Sequence, residues 1–261
     1  MKHVEPRVFL VGETHVNHDG LAAYLDHIGI PDWSTDAPSN AERLIEIMGR
    51  LCYRSWIPGM NPNVIRVRKS NEDYINNIVR VKHGSVLEHA VCNFVFADVS
   101  RVFTHELVRH RAGTAVSQES LRFVRLEELS AWMPSVIRED PESAEIFVKT
   151  YEQMEELQRV LARRYGIGEP KTDFHRKKIV TSAMRRLAPD GLATTVGWSA
   201  NMRAVRWALE MRTAPDAEEE IRLVFGRVGE IVTRHYPHVF ADFSVEIAEG
   251  LPWYKPANSK V

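Results

Sequence analysis

Arg109, His110 and Arg111 stand side by side, and Ser117, Gln118, Glu119, Ser120, Leu121, Arg122 and Phe123 follow within a few residues. Between positions 101 and 125 there are five arginines against two glutamates. Guanidinium groups can give paired hydrogen bonds to a phosphate, and serine hydroxyls add neutral donors. This composition therefore suits a phosphate monoester or diphosphate. The plainer alternative is a helix end, where the dipole favours cations in the last turn. Two arginines alone would fit that alternative, but Ser117, Ser120, Arg122 and Arg125 extend the group beyond a cap.

Other residues invite chemistry with less support. His105, Glu106 and His110 suggest a zinc site, but two zinc-binding histidines on one helical face are four residues apart. Here the spacing is five, which sets the rings roughly 140° apart at ~100° per residue. No metal is expected. His83 and His89 flank Gly84-Ser85, and Ser85 with Glu88 has capping-box spacing. Met202, Val205 and Leu209 form an apolar stripe whose next member is Arg212. An arginine on such a stripe needs a partner if it is desolvated. The spacing leaves open an internal salt bridge, for instance to residues 218–220, and a bound ligand. Arg185, Arg186 and Arg203 can be surface charges, and Arg203 lies about half a turn from Arg212. Cys52 and Cys92 have no neighbouring base that would mark a nucleophile.

These residues need elements to hold them. A short strand is expected over residues 7–12, and a helix from the Ser39 cap to about 53. A second helix runs from the Ser70 cap through 81, closed by Gly84, and alternation predicts a strand over 90–99. Ser100 caps a helix that ends near 113 and presents the arginines. Asp140-Pro141 opens a long helix to about 165 whose Val148, Tyr151, Met154, Leu157 and Leu161 are core or oligomer interface. Further helices are expected at 172–187, 201–212 and 215–236, then a strand at 239–245 and a frayed tail from Pro252. The reading is one α+β domain over residues 1–261, helix-rich, with a small and mainly antiparallel sheet. Residues 1–38 form a strand-and-loop extension and 252–261 a flexible tail.

The bulk composition supports a globular chain. At 261 residues it can bury a substantial core, and its hydrophobic and charged fractions of 44% and 26% are ordinary for soluble proteins. The net charge of −1 does not steer the whole molecule to nucleic acid or membrane. Two cysteines and the lack of an apolar N-terminal core or membrane-length run fit a cytoplasmic protein.

Several ordered elements resemble the flavin-dependent thymidylate synthases. They are Arg50-Leu51-Cys52-Tyr53, His83 to His89, Ser100-Arg101 through Arg111, Arg185 to Pro189, and Asn201-x-Arg203 followed by Arg212. The likeness covers the chain from about Leu44 to Arg222. It implies FAD contacts from Ser85, Glu88, Arg109, His110, Arg111, Asn201 and Arg203. It implies dUMP contacts from Glu106, Arg109, Gln118, Glu119, Ser120, Leu121, Arg122, Arg185 and Arg212, with Arg212 catalytic through polarisation of the uracil ring. The resemblance further implies NADPH and methylenetetrahydrofolate as co-substrates and a homotetramer with shared active sites. Such an enzyme needs no cysteine nucleophile, because the protein supplies orientation and electrostatics.

The chain departs from the family pattern at several points. Glu106 replaces a usual Gln, Trp207 a common Asn, Asp216 a common His and Phe123 the usual Tyr, and the spacer from Arg111 to Ser120 is one residue longer. Glu106 and the longer spacer motivate one alternative, C5 modification, such as hydroxymethylation, of another pyrimidine nucleotide; the arginine cluster with Phe103 and Phe123 motivates another, a non-catalytic nucleotide-binding paralogue. A single-stranded nucleic-acid binder, suggested by the arginines with Phe103 and Phe123, is disfavoured by the near-neutral charge.

Overall fold

The structure is a computed structural model and describes residues 1–121, 128–169 and 173–261. Arg122, Phe123, Arg125 and Thr172 lie outside the described residues. In chain order the elements are β1 (Lys2–His3), β2 (Arg7–Glu13), α1 (His18–His27), α2 (Asn40–Tyr53), α3 (Asn71–Arg80), a 3-10 segment (Gly84–His89), β3 (Val91–Ser100), α4 (Arg101–Leu107) and β4 (Thr114–Gln118). There follow β5 (Ser130–Ala131), α5 (Ser135–Arg138), α6 (Pro141–Arg164), α7 (Phe174–Met184), a 3-10 turn (Arg185–Leu187), β6 (Ala193–Asn201), α8 (Met202–Arg212), α9 (Glu219–His235), β7 (Phe243–Ala248) and β8 (Leu251–Pro256). Helix outweighs strand in this α+β chain with its small, mainly antiparallel sheet, as the sequence predicts.

The four-stranded sheet has the order β2-β3-β6-β4. In β3, Cys92, Phe94 and Phe96 are buried and alternate with half-buried residues; in β6, Thr194, Val196, Trp198 and Ala200 do the same. β1 pairs with β5 in parallel, and β7 and β8 form an antiparallel hairpin. Its two-residue turn places Glu249 at φ 53° and Gly250 at φ 78°, the left-handed pair that suits the strand twist.

The chain groups into two compact units. One comprises Met1–Phe9, Val95–Arg109 and Val116–Gly197. Within it Phe96 meets Phe103 of α4 edge-on at 5.4 Å, and Leu121, Leu129, Ala131, Tyr151 and Leu192 form an apolar cluster. Helix α6 buries Tyr151, and Met154 packs against the same cluster, but Leu157 stays exposed. The other unit comprises Leu10–Phe94, His110–Ala115 and Trp198–Val261. There Trp198 stacks on Phe94 at 6.1 Å and meets Phe225 of α9 edge-on at 5.7 Å, beside fully buried Val205 and Leu209 of α8. Each such buried side chain contributes about 1.5–3 kcal/mol relative to exposure.

Several expected boundaries move. Helix α4 stops at Leu107 instead of running to 113, because the chain must turn to enter β4; Thr114 donates to the His110 carbonyl at 2.6 Å in that turn. Lys82, at φ 56°, takes the left-handed position expected of Gly84. Ser85 and Glu88 make no capping box: the segment is 3-10, and no side chain caps it. Helix α9 begins at Glu219, not at Pro215, because the Glu218 carboxylate accepts the N–H groups of Glu220 and Ile221 at 2.9 and 3.2 Å. The last strand lies at Phe243–Ala248 instead of 239–245. The tail from Pro252 is not frayed: β8 pairs along its length, Tyr254 N–H donates to Thr213 Oγ1 at 2.9 Å, and Val261 is buried. Residues 1–38 hold helix α1 as well as strands, since Asn17 caps it by accepting the Gly20 N–H at 2.9 Å.

Candidate active site

Helix α8 organises one half of the candidate site. Asn201 caps it by accepting the Ala204 N–H at 2.9 Å, and the Asn201 N–H donates to the Gly113 carbonyl at 2.9 Å. Gly113 sits at φ 69°, and a Cβ there would run into the Asn201 amide. The loop after Arg111 is thereby pinned against the start of α8. In the first turn of the helix, Arg203 reaches Glu88, 115 residues away, with Nη1 to Oε1 at 2.6 Å. Both ends of this ion pair are partly open, with side chains 44% and 47% exposed. Gly84 is close-packed here as well: a Cβ would come within 2.9 Å of Arg203 Nε.

Around this pair lies a cleft of about 350 Å³ whose walls include Glu88, Gly113, Asn201, Arg203, Trp207 and Lys260. Three of the residues expected to bind flavin, Glu88, Asn201 and Arg203, are thus brought to one cavity. Sequence reasoning missed Lys260 as part of it because the tail was read as frayed. It singled out Gly113 only as a helix end.

Arg212, at the other end of α8, is half-buried, while Met202, Val205 and Leu209 before it on the stripe are fully buried. Its Nε donates to His110 Nε2 at 2.8 Å. Burial and the neighbouring guanidinium push the His110 imidazole down to about 4. The ring is neutral near pH 7 and accepts at Nε2, so this bond leaves the positive charge of Arg212 intact. Arg203 and Arg212 have different partners at opposite ends of the helix, consistent with the half-turn between them.

The remaining expected residues are placed as follows. Arg109 and Arg111 are exposed in the loop between α4 and β4 and not in a helical turn. Ser85 is exposed on the 3-10 segment, and Glu106 is half-buried near the end of α4. Gln118 ends β4; the Glu119 N–H donates to Thr195 O at 2.9 Å while its carboxylate accepts the Thr195 N–H at 3.3 Å. Ser120 is half-buried, and Leu121 is buried in the apolar cluster, which leaves its backbone for any ligand. Arg185 is exposed on its 3-10 turn. Arg206, unremarked in the sequence, is a buried structural cation held by Asp242 at 2.7 Å and by the Val239 carbonyl at 2.6 Å. Of the departures, Trp207 lines the cleft and Asp216 is exposed.

Comparison with known proteins bears on this arrangement. The family model described as thymidylate synthase complementing protein matches residues 35–238. A flavin-dependent thymidylate synthase of Mycobacteroides abscessus is 33% identical over 241 residues, covering 88% of this chain and 91% of its own. One of Corynebacterium efficiens is 35% identical over 223 residues, covering 84% and 86%. Among solved structures, thymidylate synthase X of Helicobacter pylori with FAD and dUMP superposes with a TM-score of 0.61 at 18% identity, covering 91% of this chain and 98% of its own. A UMP/dUMP methylase of Streptomyces cacaoi superposes with a TM-score of 0.62 at 15% identity, covering 92% and 94%. These two share the fold. The matched stretch of sequence, and identities of this size over most of both chains, place the protein in the flavin-dependent thymidylate synthase family.

Proposed function

We propose that this chain catalyses the reductive methylation of dUMP to dTMP with FAD, methylenetetrahydrofolate as carbon donor and NADPH as reductant. The observation that carries the reading is the convergence of Glu88, Asn201 and Arg203 on one cleft, while Arg212, on the same helix as Arg203, is held by the neutral His110 of the loop after α4. The cleft fits part of a flavin dinucleotide. Arg203 and Lys260 supply cations for a diphosphate, Glu88 can accept from a ribose hydroxyl, and the Trp207 indole offers a flat wall. FAD bound there would supply the redox chemistry that the reductive methylation needs, with NADPH as the source of reducing equivalents.

The chain's own residues would do the rest. Arg109, Arg122 and Arg185, with Ser120, would hold the nucleotide phosphate. Arg212 would sit against the pyrimidine, where its charge stabilises the anion that develops on the ring as C5 becomes nucleophilic. His110 fixes the guanidinium through Nε without neutralising it.

The test is a visible absorbance titration of the purified protein with FAD and then dUMP, followed by product analysis with dUMP and UMP. A bound-flavin spectrum perturbed by dUMP, with dTMP formed only when folate and NADPH are both present, is the expected result. Arg212→Ala should retain the flavin spectrum and lower kcat by about 10²-fold or more, the scale of removing one donor to a developing anion. Normal turnover in that variant would sink the role given to Arg212.

A further inference from the structure

The segment that supplies Glu88 to the cleft is preceded by His83, and His83 lines a second, smaller cavity of about 160 Å³. Tyr53, Arg66, Arg68, Tyr74 and Asn77 are among its other walls, and among the described residues no carboxylate is. Arg66 is exposed. Arg68 donates through Nη2 to the Asn77 side-chain oxygen at 2.6 Å, a neutral acceptor that does not itself offset the charge. Behind Tyr74 lies a third guanidinium, Arg50, with its carbon 4.6 Å from the ring centroid, although this one is paired to Glu46 at 2.6 Å. His83 Nδ1 is buried and has no hydrogen-bond partner among the described residues. Buried polar nitrogens are rarely left so, and a missing ligand is one physical explanation. The Tyr53 ring stands edge-on to the His83 ring at 5.7 Å, giving the cavity an aromatic side.

We propose that this cavity is a subsite for the anionic end of a co-substrate that also carries an aromatic ring. The carboxylate or phosphate would meet Arg66 and Arg68, the ring would lie against Tyr53, and a polar atom would engage His83 Nδ1. Two co-substrates named in the proposed function carry such chemistry, and the choice between them rests on that reading: the benzoylglutamate end of the folate, or the 2′-phosphorylated adenosine of NADPH. The cavity's size suits one ring or one sugar phosphate and excludes either molecule as a whole.

The test uses the full-length protein and two probes, p-aminobenzoyl-glutamate and adenosine 2′,5′-bisphosphate, titrated by calorimetry at low and high salt. Binding of one probe, weakened about tenfold in Arg66→Ala, more in Arg66→Glu, and restored in Arg66→Lys, is expected for the loss and recovery of one charge-assisted contact. The probe that behaves this way identifies the source, and equal Arg66 dependence for both establishes an anion site shared by them. Arg66 is exposed, so its variants should fold normally, and their flavin affinity by absorbance should match the parent. Failure of both probes to bind, or binding indifferent to Arg66, overturns the subsite. Loss of flavin binding in the parent protein would instead count against the thymidylate synthase reading, leaving an Arg66-dependent probe site standing.

Discussion

His110 accepts a hydrogen bond from Arg212 at Nε2, and its affinity for a proton is depressed to about 4 by burial and that charge. An unfolded histidine titrates near 6.5. Above about pH 6.5 the ring is neutral in both states and costs nothing. As pH falls from there toward 4, the unfolded chain takes up a proton that the folded one refuses, so stability declines through that window. His110→Gln, which removes the titration, should flatten this part of a plot of urea midpoint against pH. Equal slopes in parent and variant would remove His110 from the account. The Glu88–Arg203 pair behaves differently. Half-exposed pairs contribute only about 0–1 kcal/mol to stability, so Glu88→Gln should leave the melting temperature nearly unchanged. If the pair shapes the flavin site, the same variant should bind FAD about tenfold more weakly, the scale of one charged contact, by fluorescence titration.

At the scale of elements, α8 joins the two ends of the candidate site, and its own start is held by Asn201 and Gly113. Gly113→Ala should destabilise the fold by more than about 1 kcal/mol, since it adds a side chain at positive φ as well as a clash with the Asn201 amide. It should also weaken FAD, because the loop it displaces forms a wall of the cleft. A variant with unchanged thermal stability would show that the close approach is dispensable. Helices of this kind were legible in the sequence. Ser39, Ser70, Ser100 and Asp140, read as helix starts, act as caps in the structure by accepting an N–H three residues on, and Asn201 does the same. The Arg212 stripe was legible too, because 3-4 spacing marks a face without reference to any partner.

What the sequence hid was pairing between distant segments. β6 reads Ala-Thr-Thr-Val-Gly-Trp-Ser-Ala-Asn, whose buried side includes Thr194 and Ala200, so its alternation is muted. β4 is exposed or half-buried along its length and has no apolar signature. The Glu88–Arg203 contact spans 115 residues, and local spacing favoured a capping box that does not form.

At the scale of the molecule, the expected nucleotide ligands are divided. Glu106, Arg109, Gln118, Glu119, Ser120, Leu121 and Arg185 belong to one compact unit, and Arg212 to the other. A homotetramer with shared active sites would let a phosphate-binding arginine of one subunit serve the Arg212 of another. Sedimentation should then give a mass of four chains. A sharper check is complementation. Arg185→Ala and Arg212→Ala should each be inactive alone, yet a co-expressed mixture should recover activity. With random assembly each site draws one residue from each of two chains, so about a quarter of sites would carry both arginines intact. If each site were built from a single chain, every subunit in the mixture would lack one essential arginine, and no activity would return. Recovery near a quarter of parental turnover thus separates shared from self-contained sites even when both assemble as tetramers.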